Sequence, residues 1–315
     1  MSNGSQVPFG SRARVAAEGA RAATLGSLHR QPTKVVALNR AFRVFLYGTV
    51  AVALIGLAAL LVDAFVEGEA RLSLGLITDS TSRIADNAGF RQAILGSLYL
   101  VGLMILMVVP LGVGAAIYME EYGNRESRLN RMIEVNIQNL AAVPAIVYGI
   151  LGLAFIVRGP IDLGFMLFAG SITLTLLVLP TVIIAAREAI RAVPPSIREG
   201  SLALGATQWQ TIRHQVLPAA LPGVLTGVIL AVSRALGEAA PLLLFGAAIF
   251  VTTDPQPFNS DAGWTALPVQ IFSLAADPQA ELRELAAAGI IIMLAVLLLM
   301  NSFAIWLRNR YEQKW

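Results

Sequence analysis

The chain has 315 residues, of which 56% are hydrophobic and only 14% charged, with a formal net charge of +3. That balance, together with several long apolar runs, excludes an ordinary soluble domain and makes the bilayer the solvent in which the chain is read. Cysteine is absent, which removes disulfide scaffolds, thiolate metal sites and catalytic thiols.

In chain order, residues 1–43 hold seven Lys and Arg among Ala, Ser and Gly, and read as a basic cytoplasmic tail whose cations rest on anionic headgroups. Six apolar runs follow, at residues 44–66, 93–118, 140–157, 161–186, 223–251 and 285–307. Each is long enough, or nearly so, to cross about 30 Å of hydrocarbon at about 1.5 Å per helical residue. The first run is too long for a signal peptide and lacks a small-residue cleavage site, so it is expected to be retained. With all six spanning, Lys and Arg number 17 in residues 1–43, 119–139, 187–222 and 308–315, against 5 in the alternate loops. The positive-inside rule then predicts an all-α, multi-pass membrane protein with both termini in the cytoplasm.

The outer loop at residues 67–92 mixes acids with Arg71, Arg83 and Arg91. Pro110, Pro144 and Pro180 interrupt three of the spans and permit bends there. Asn136 and Asn139 stand at the cytoplasmic mouth of the third span, where helix capping and contact with an anion both fit.

The cytoplasmic loop at residues 187–222 contains PPSIREGSLALGATQWQTIRHQVLP, residues 194–218. It predicts two short helices joined at Gly205. Ser196 with Glu199, and Thr207 with Gln210, read as two capping boxes; Gly205 supplies a left-handed stop, and Leu217-Pro218 ends the second helix. Trp209, Ile212 and Val216 share one side, giving the hairpin an apolar edge suited to docking.

In the fifth span, SRALGEAAPLLLFG places Arg234 and Glu238 about halfway along, with Ser233 beside them. Each charge at that depth costs roughly 2.5–3.5 kcal/mol on insertion scales, so neither is expected to face lipid. Residues four apart share a face, yet Arg before Glu is the poorer order for an intrahelical pair, so stability is a weak reason to keep them. Two readings follow: a staple to a neighbouring span, or an arginine turned toward a translocation path. Gly223, Gly227, Ala231, Ala235 and Ala239 form a stripe that permits close helix approach, while Gly237 and Pro241 weaken the helix around Glu238.

The outer loop at residues 252–284 carries Trp264, Pro268, Phe272 and the Leu267, Ile271, Leu274 spacing of a short amphipathic piece packed on the outer ends of the spans. Lys34 and Lys314 are the only lysines, and neither lies in a phosphate-binding loop, so ATP hydrolysis must belong to other chains. His29 and His214 lie outside the spans and leave no intramembrane metalloprotease motif. No nucleic-acid partner is implied.

Arg198, Glu199-Gly200-Ser201, Gly205 and Leu217-Pro218 together resemble the EAA loop of bacterial ABC-importer permeases, with Gly200 and Ser201 standing where that pattern has alanines and Gln215 where it has an aliphatic residue. NIQNLAAVPAIVYGILGLAF, SRALGEAAPLLLFG and TALPVQIF narrow the resemblance to the PstA-type permeases of phosphate importers, over nearly everything from the first span onward. The resemblance implies six transmembrane helices in the type I, MetI-like permease arrangement, in the bacterial inner membrane. It also implies a PstC-like partner permease, two PstB-like ATPase subunits carrying ATP and Mg, and a PstS-like periplasmic binding protein that delivers inorganic phosphate. On that basis Arg234, Glu238 and Ser233 are expected on the substrate path, and Arg198, Glu199, Gly200, Ser201, Gly205, Leu217 and Pro218 at the ATPase. A guanidinium offers phosphate a planar fork of donors, and Glu238 can partly neutralise it and accept a hydrogen bond from a protonated phosphate oxygen. Sulfate or molybdate transport, or an anion channel or carrier working without an ATPase, are the alternatives.

Overall fold

The computed structural model describes residues 33–124, 127–244, 247 and 250–311. Most of the expected basic tail, residues 1–32, lies outside the described residues, as do residues 312–315. Contacts divide the chain into two compact units, residues 1–62 and 63–315. The described part of the first unit belongs to helix α1 (Thr33–Gly68), which runs on into the second. Every side chain from Lys34 to Val62 is exposed. An exposed and largely apolar helical stretch of this kind is one whose solvent is hydrocarbon.

The second unit is built from α2 (Arg91–Ile117), α3 (Arg128–Ala141), α4 (Ala145–Leu151), α5 (Leu167–Arg191), α6 (Pro195–Ala203), α7 (Gln208–Thr211), α8 (Leu217–Leu236), α9 (Ala240–Leu244), α10 (Leu267–Ala275) and α11 (Ala280–Tyr311). Short 3₁₀ and helical turns at Glu69–Arg71, Gly75–Thr78 and Ala85–Asn87 link α1 to α2. No strand occurs among the described residues. Among the described residues, counting each continuous run across its π-turn, five helices are long and apolar enough to cross a membrane, and six if the bent pair α3 and α4 is taken as one span.

The core lies where α2, α5 and α8 meet, around Met104, Leu167, Val182, Ile190 and Val216, all fully buried. Close approach is set by the small stripe: a Cβ on Gly223 would meet the Ala189 Cβ at 2.8 Å, and one on Gly227 would collide with Ala185. The stripe therefore serves packing within this chain. In the loop at residues 252–284, Trp264 is buried and donates its indole N–H to the Phe165 carbonyl at 2.8 Å. Leu267, Ile271 and Leu274 of α10 are buried, whereas Phe272 is exposed. Arg71 pairs there with Asp86 at 2.7 Å and Glu284 at 3.2 Å.

Three expected spans differ in detail. The third is two helices at 102° across Ala142–Pro144, not one rod over 140–157. Pro144 has no N–H to continue α3, and the Tyr148 hydroxyl donates to the Leu140 carbonyl at 2.8 Å, which holds the bend. The fourth begins at Leu167, not Ile161, because the chain turns through Asp162 and Gly164, both at positive φ. The fifth is continuous from Gln208 to Leu236, and Gly237 stops it. Leu217-Pro218 does not end a helix there: the wider π-turn at Ile212–Val216 leads into Pro218 in the first turn of α8, where the missing N–H costs little.

Candidate functional site

Because the fifth span ends at Leu236, Arg234 sits in its last turn and Glu238 just beyond, rather than halfway along. The chain then bends into α9, with the Gly237 and Glu238 N–H groups donating to the Arg234 and Ala235 carbonyls at 3.1 and 3.2 Å. Arg234 Nε lies 3.7 Å from Glu238 Oε1, with the arginine side chain 71% exposed and the glutamate 22%. That separation is an ion pair without a hydrogen bond, and the guanidinium is free to turn outward.

Both side chains line a cleft with Ala141, Val143, Leu177, Val178, Thr181, Ala231 and Ala235, so the end of α3, the middle of α5 and the end of α8 converge on it. Its cavity is about 20 Å³, room for about one water molecule. Thr181 was not among the residues singled out from the sequence. Ser171, Thr173 and Thr175 on the same helix donate to the carbonyl four residues back, at 3.2, 3.1 and 2.7 Å. The Thr181 hydroxyl makes no hydrogen bond among the described residues. A hydroxyl left open beside a charged pair is the signal, and only the fold brings it there.

Ser233 stands elsewhere. Its hydroxyl donates to the Ile229 carbonyl at 2.6 Å and meets the Asn301 side-chain amide, which places it at the α8–α11 contact and away from the cleft. The Asn136 amide donates to the Met132 carbonyl at 2.9 Å within α3 and does not line the cleft either.

The hairpin expected at the ATPase is formed by α6 and α7 around Gly205, which has φ +86°. Thr207 and Gln210 form a reciprocal capping box. Ser196 and Glu199 do not: Pro194 is the residue before the helix, Pro195 fills its first turn, and no side chain caps it. Glu199 is exposed with no side-chain partner among the described residues, and a Cβ on Gly200 would meet open space. The Ser201 and Thr211 hydroxyls lie 2.9 Å apart and join the two helices. The exposed apolar edge is also not the expected one. Ile212 and Val216 are buried, while Leu202, Leu204 and Trp209 are exposed, Leu204 at 91%. Leu217 and Pro218 line an apolar groove of about 540 Å³ with α2 residues including Pro110 and Val113, and with Arg213.

Arg198, expected on the docking face, turns inward. It reaches Glu121 Oε1 with Nε at 3.0 Å and Nη2 at 2.7 Å, and donates to the carbonyls of Val193 and Ile190 at 2.7 and 2.8 Å. Next to it Glu120, 2% exposed, accepts from Arg187 and Arg191. Arg187 also reaches Glu134 of α3 at 3.3 Å.

Among the described residues the chain is all-helical with a bent third helix pair, and it belongs to the family described as binding-protein-dependent transport system inner membrane component, whose profile matches residues 108–313. It is a multi-pass inner-membrane permease component of the ABC-importer kind. Its relatives include the probable ABC transporter permease protein YqgI of Bacillus subtilis, 32% identical over 82% of this chain and 92% of that protein. The phosphate transport system permease proteins PstA of Haemophilus influenzae and Yersinia pestis are each 34% identical, over 82% and 84% of this chain and 89% and 88% of theirs. In fold the chain resembles a bacterial alginate ABC transporter, with TM-score 0.66 at 17% identity over 88% of this chain and 96% of that one. It also resembles the MetNI methionine transporter, with TM-score 0.54 at 18% identity over 70% and 94%.

Proposed function

We propose that the chain is the PstA-like half of an ATP-driven inorganic phosphate importer. In this reading it pairs with a PstC-like permease, rests on two PstB-like ATPases that bind ATP and Mg, and receives phosphate from a PstS-like periplasmic protein, with both of its own termini cytoplasmic. The observation that carries the reading is the loose Arg234–Glu238 pair on a narrow cleft, in a chain whose relatives include phosphate permeases.

The chemistry follows from that geometry. Arg234 stays protonated and its planar donors can engage two phosphate oxygens. Its position in the last turn of α8 matters, because the carbonyl end of a helix favours a cation and disfavours an anion, so the site attracts phosphate without trapping it. Glu238 takes the arginine when the path is empty and accepts a hydrogen bond from a protonated phosphate oxygen when it is occupied. Thr181 supplies a neutral donor. A tetrahedral oxyanion is larger than one water, so the cleft must widen before it passes.

The hairpin supports coupling to a separate ATPase. Among the described residues nothing requires Gly200 to be small and Glu199 has no side-chain partner, so both features suit a surface met by another protein. The test is phosphate uptake by the assembled complex carrying Arg234→Ala or Arg234→Lys. Uptake is expected to be lost in both with assembly intact; normal uptake by Arg234→Ala would sink the reading. Competition by sulfate and molybdate reads the substrate, and uptake by this chain alone in liposomes without ATP would replace the importer with a channel or carrier.

A further inference from the structure

We propose that Arg198 and Glu121 are positioning residues that clasp the cytoplasmic hairpin to the ends of α2 and α5, so that movement of the hairpin is passed into the helix that walls the Arg234 cleft. The inference rests on the reading of the hairpin as the ATPase-docking element.

Four elements converge on this point. Glu121 lies in the π-turn Tyr118–Tyr122 that ends the α2 run. Ile190 lies in the last turn of α5, where carbonyls lack the usual i+4 donor, and Val193 lies two residues past its end. Arg198 belongs to α6, and its guanidinium donates to both carbonyls while gripping the Glu121 carboxylate. Gln208, first residue of α7, donates its side-chain amide to the Glu121 backbone carbonyl. One arginine thus caps α5, pairs with the end of α2 and holds α6 at once.

Burial makes the clasp strong. The Glu121 side chain is 9% exposed and that of Arg198 23%, so the pair is poorly screened by solvent, and charge-assisted bonds at 2.7 Å are the strong kind. Behind it, Glu120 is held by Arg187 and Arg191, which fixes the end of α2 on α5 a second time. The route onward is short. Thr181 and Arg191 are ten residues apart on α5, about 15 Å of unbroken helix. Four of the five N–H donors of Arg198 are spent inside the chain, which separates its role from that of the exposed Glu199.

The test uses the full transporter, with its ATPase subunits and binding protein, in proteoliposomes, and reads phosphate imported per ATP hydrolysed. In Arg198→Met and in Glu121→Gln the ATPase subunits should still co-purify and hydrolyse ATP, while the transport ratio falls between about 5- and 150-fold, the range of ordinary coupling energies. Arg198→Lys, which keeps the charge and loses the fork, should recover part of it. In a complex otherwise free of cysteine, Glu121→Cys with Arg198→Cys should be uncoupled, and a short bismaleimide joining the two thiols should restore the ratio. An unchanged ratio in Arg198→Met, no rescue by the cross-link, or loss of the ATPase from both single variants would overturn the proposal, the last because it would make these residues a contact or a folding element. Failure of the underlying reading shows separately, as no ATPase co-purifying with the unaltered complex, or as co-purification that survives replacing Glu199 and Gly205 together.

Discussion

Two of the arginine–glutamate pairs among the described residues differ in almost every physical respect. Arg198 and Glu121 come from positions 77 apart, close to 2.7 Å and are largely buried. Arg234 and Glu238 are four residues apart on one turn, stand 3.7 Å from one another, and leave the arginine 71% exposed. The same chemistry makes a fixed joint where burial, a carboxylate and two backbone carbonyls occupy four of the five guanidinium donors, and a loose, exposed pair where they do not. Residue type alone therefore says little about which role an arginine has in a membrane protein; its count of satisfied donors says more.

The contrast can be broken at graded cost. The heaviest loss is expected at the fixed end, from Glu120→Ala, which leaves the 8%-exposed Arg187 short of its main partner and should cost about 3–5 kcal/mol, read as a lower thermal midpoint of the purified complex. Stability unchanged by that substitution would mean the buried ion pair is not the joint described. Next, Arg234→Ala should leave that midpoint alone and cut uptake by roughly 100-fold, the usual effect of removing one preorganised charged donor. Thr181→Val keeps the shape and deletes one neutral hydrogen bond, about 0.5–1.5 kcal/mol, so the phosphate KM should rise about two- to tenfold, with Thr181→Ser near the starting value. The smallest effect belongs to Glu188→Ala, which removes an exposed pair with Arg191 at 3.5 Å and should change neither stability nor uptake measurably.

Local signals were the legible ones. Thr207 and Gln210 cap their helix as the three-residue spacing implies, and Gly205 turns left-handed where the hairpin needs it. Glu199 was misread as a cap because Pro195 already fixes the first turn of α6, a backbone effect that the Ser-x-x-Glu pattern does not register. The partners of Arg198 could not be read for a different reason: Glu121 lies 77 residues away, and no window along the chain contains both. The place of Arg234 along its helix differs because Leu217-Pro218 looks like an end to the preceding helix, whereas a π-turn carries the helix through and Gly237 stops it. Thr181 was invisible, since an open hydroxyl is a property of the folded helix and not of its letters.

The unbroken run from Gln208 to Leu236 has one more consequence. At about 1.5 Å per residue its 29 residues form a rod of about 43 Å, one end in the α6–α7 hairpin and the other bearing Arg234. Such a rod is a lever arm: tilting it by about 5° swings its far tip by roughly 4 Å. A displacement that size exceeds the width of a single water molecule, so a modest rotation imposed at the hairpin end suffices to change what fits beside the guanidinium.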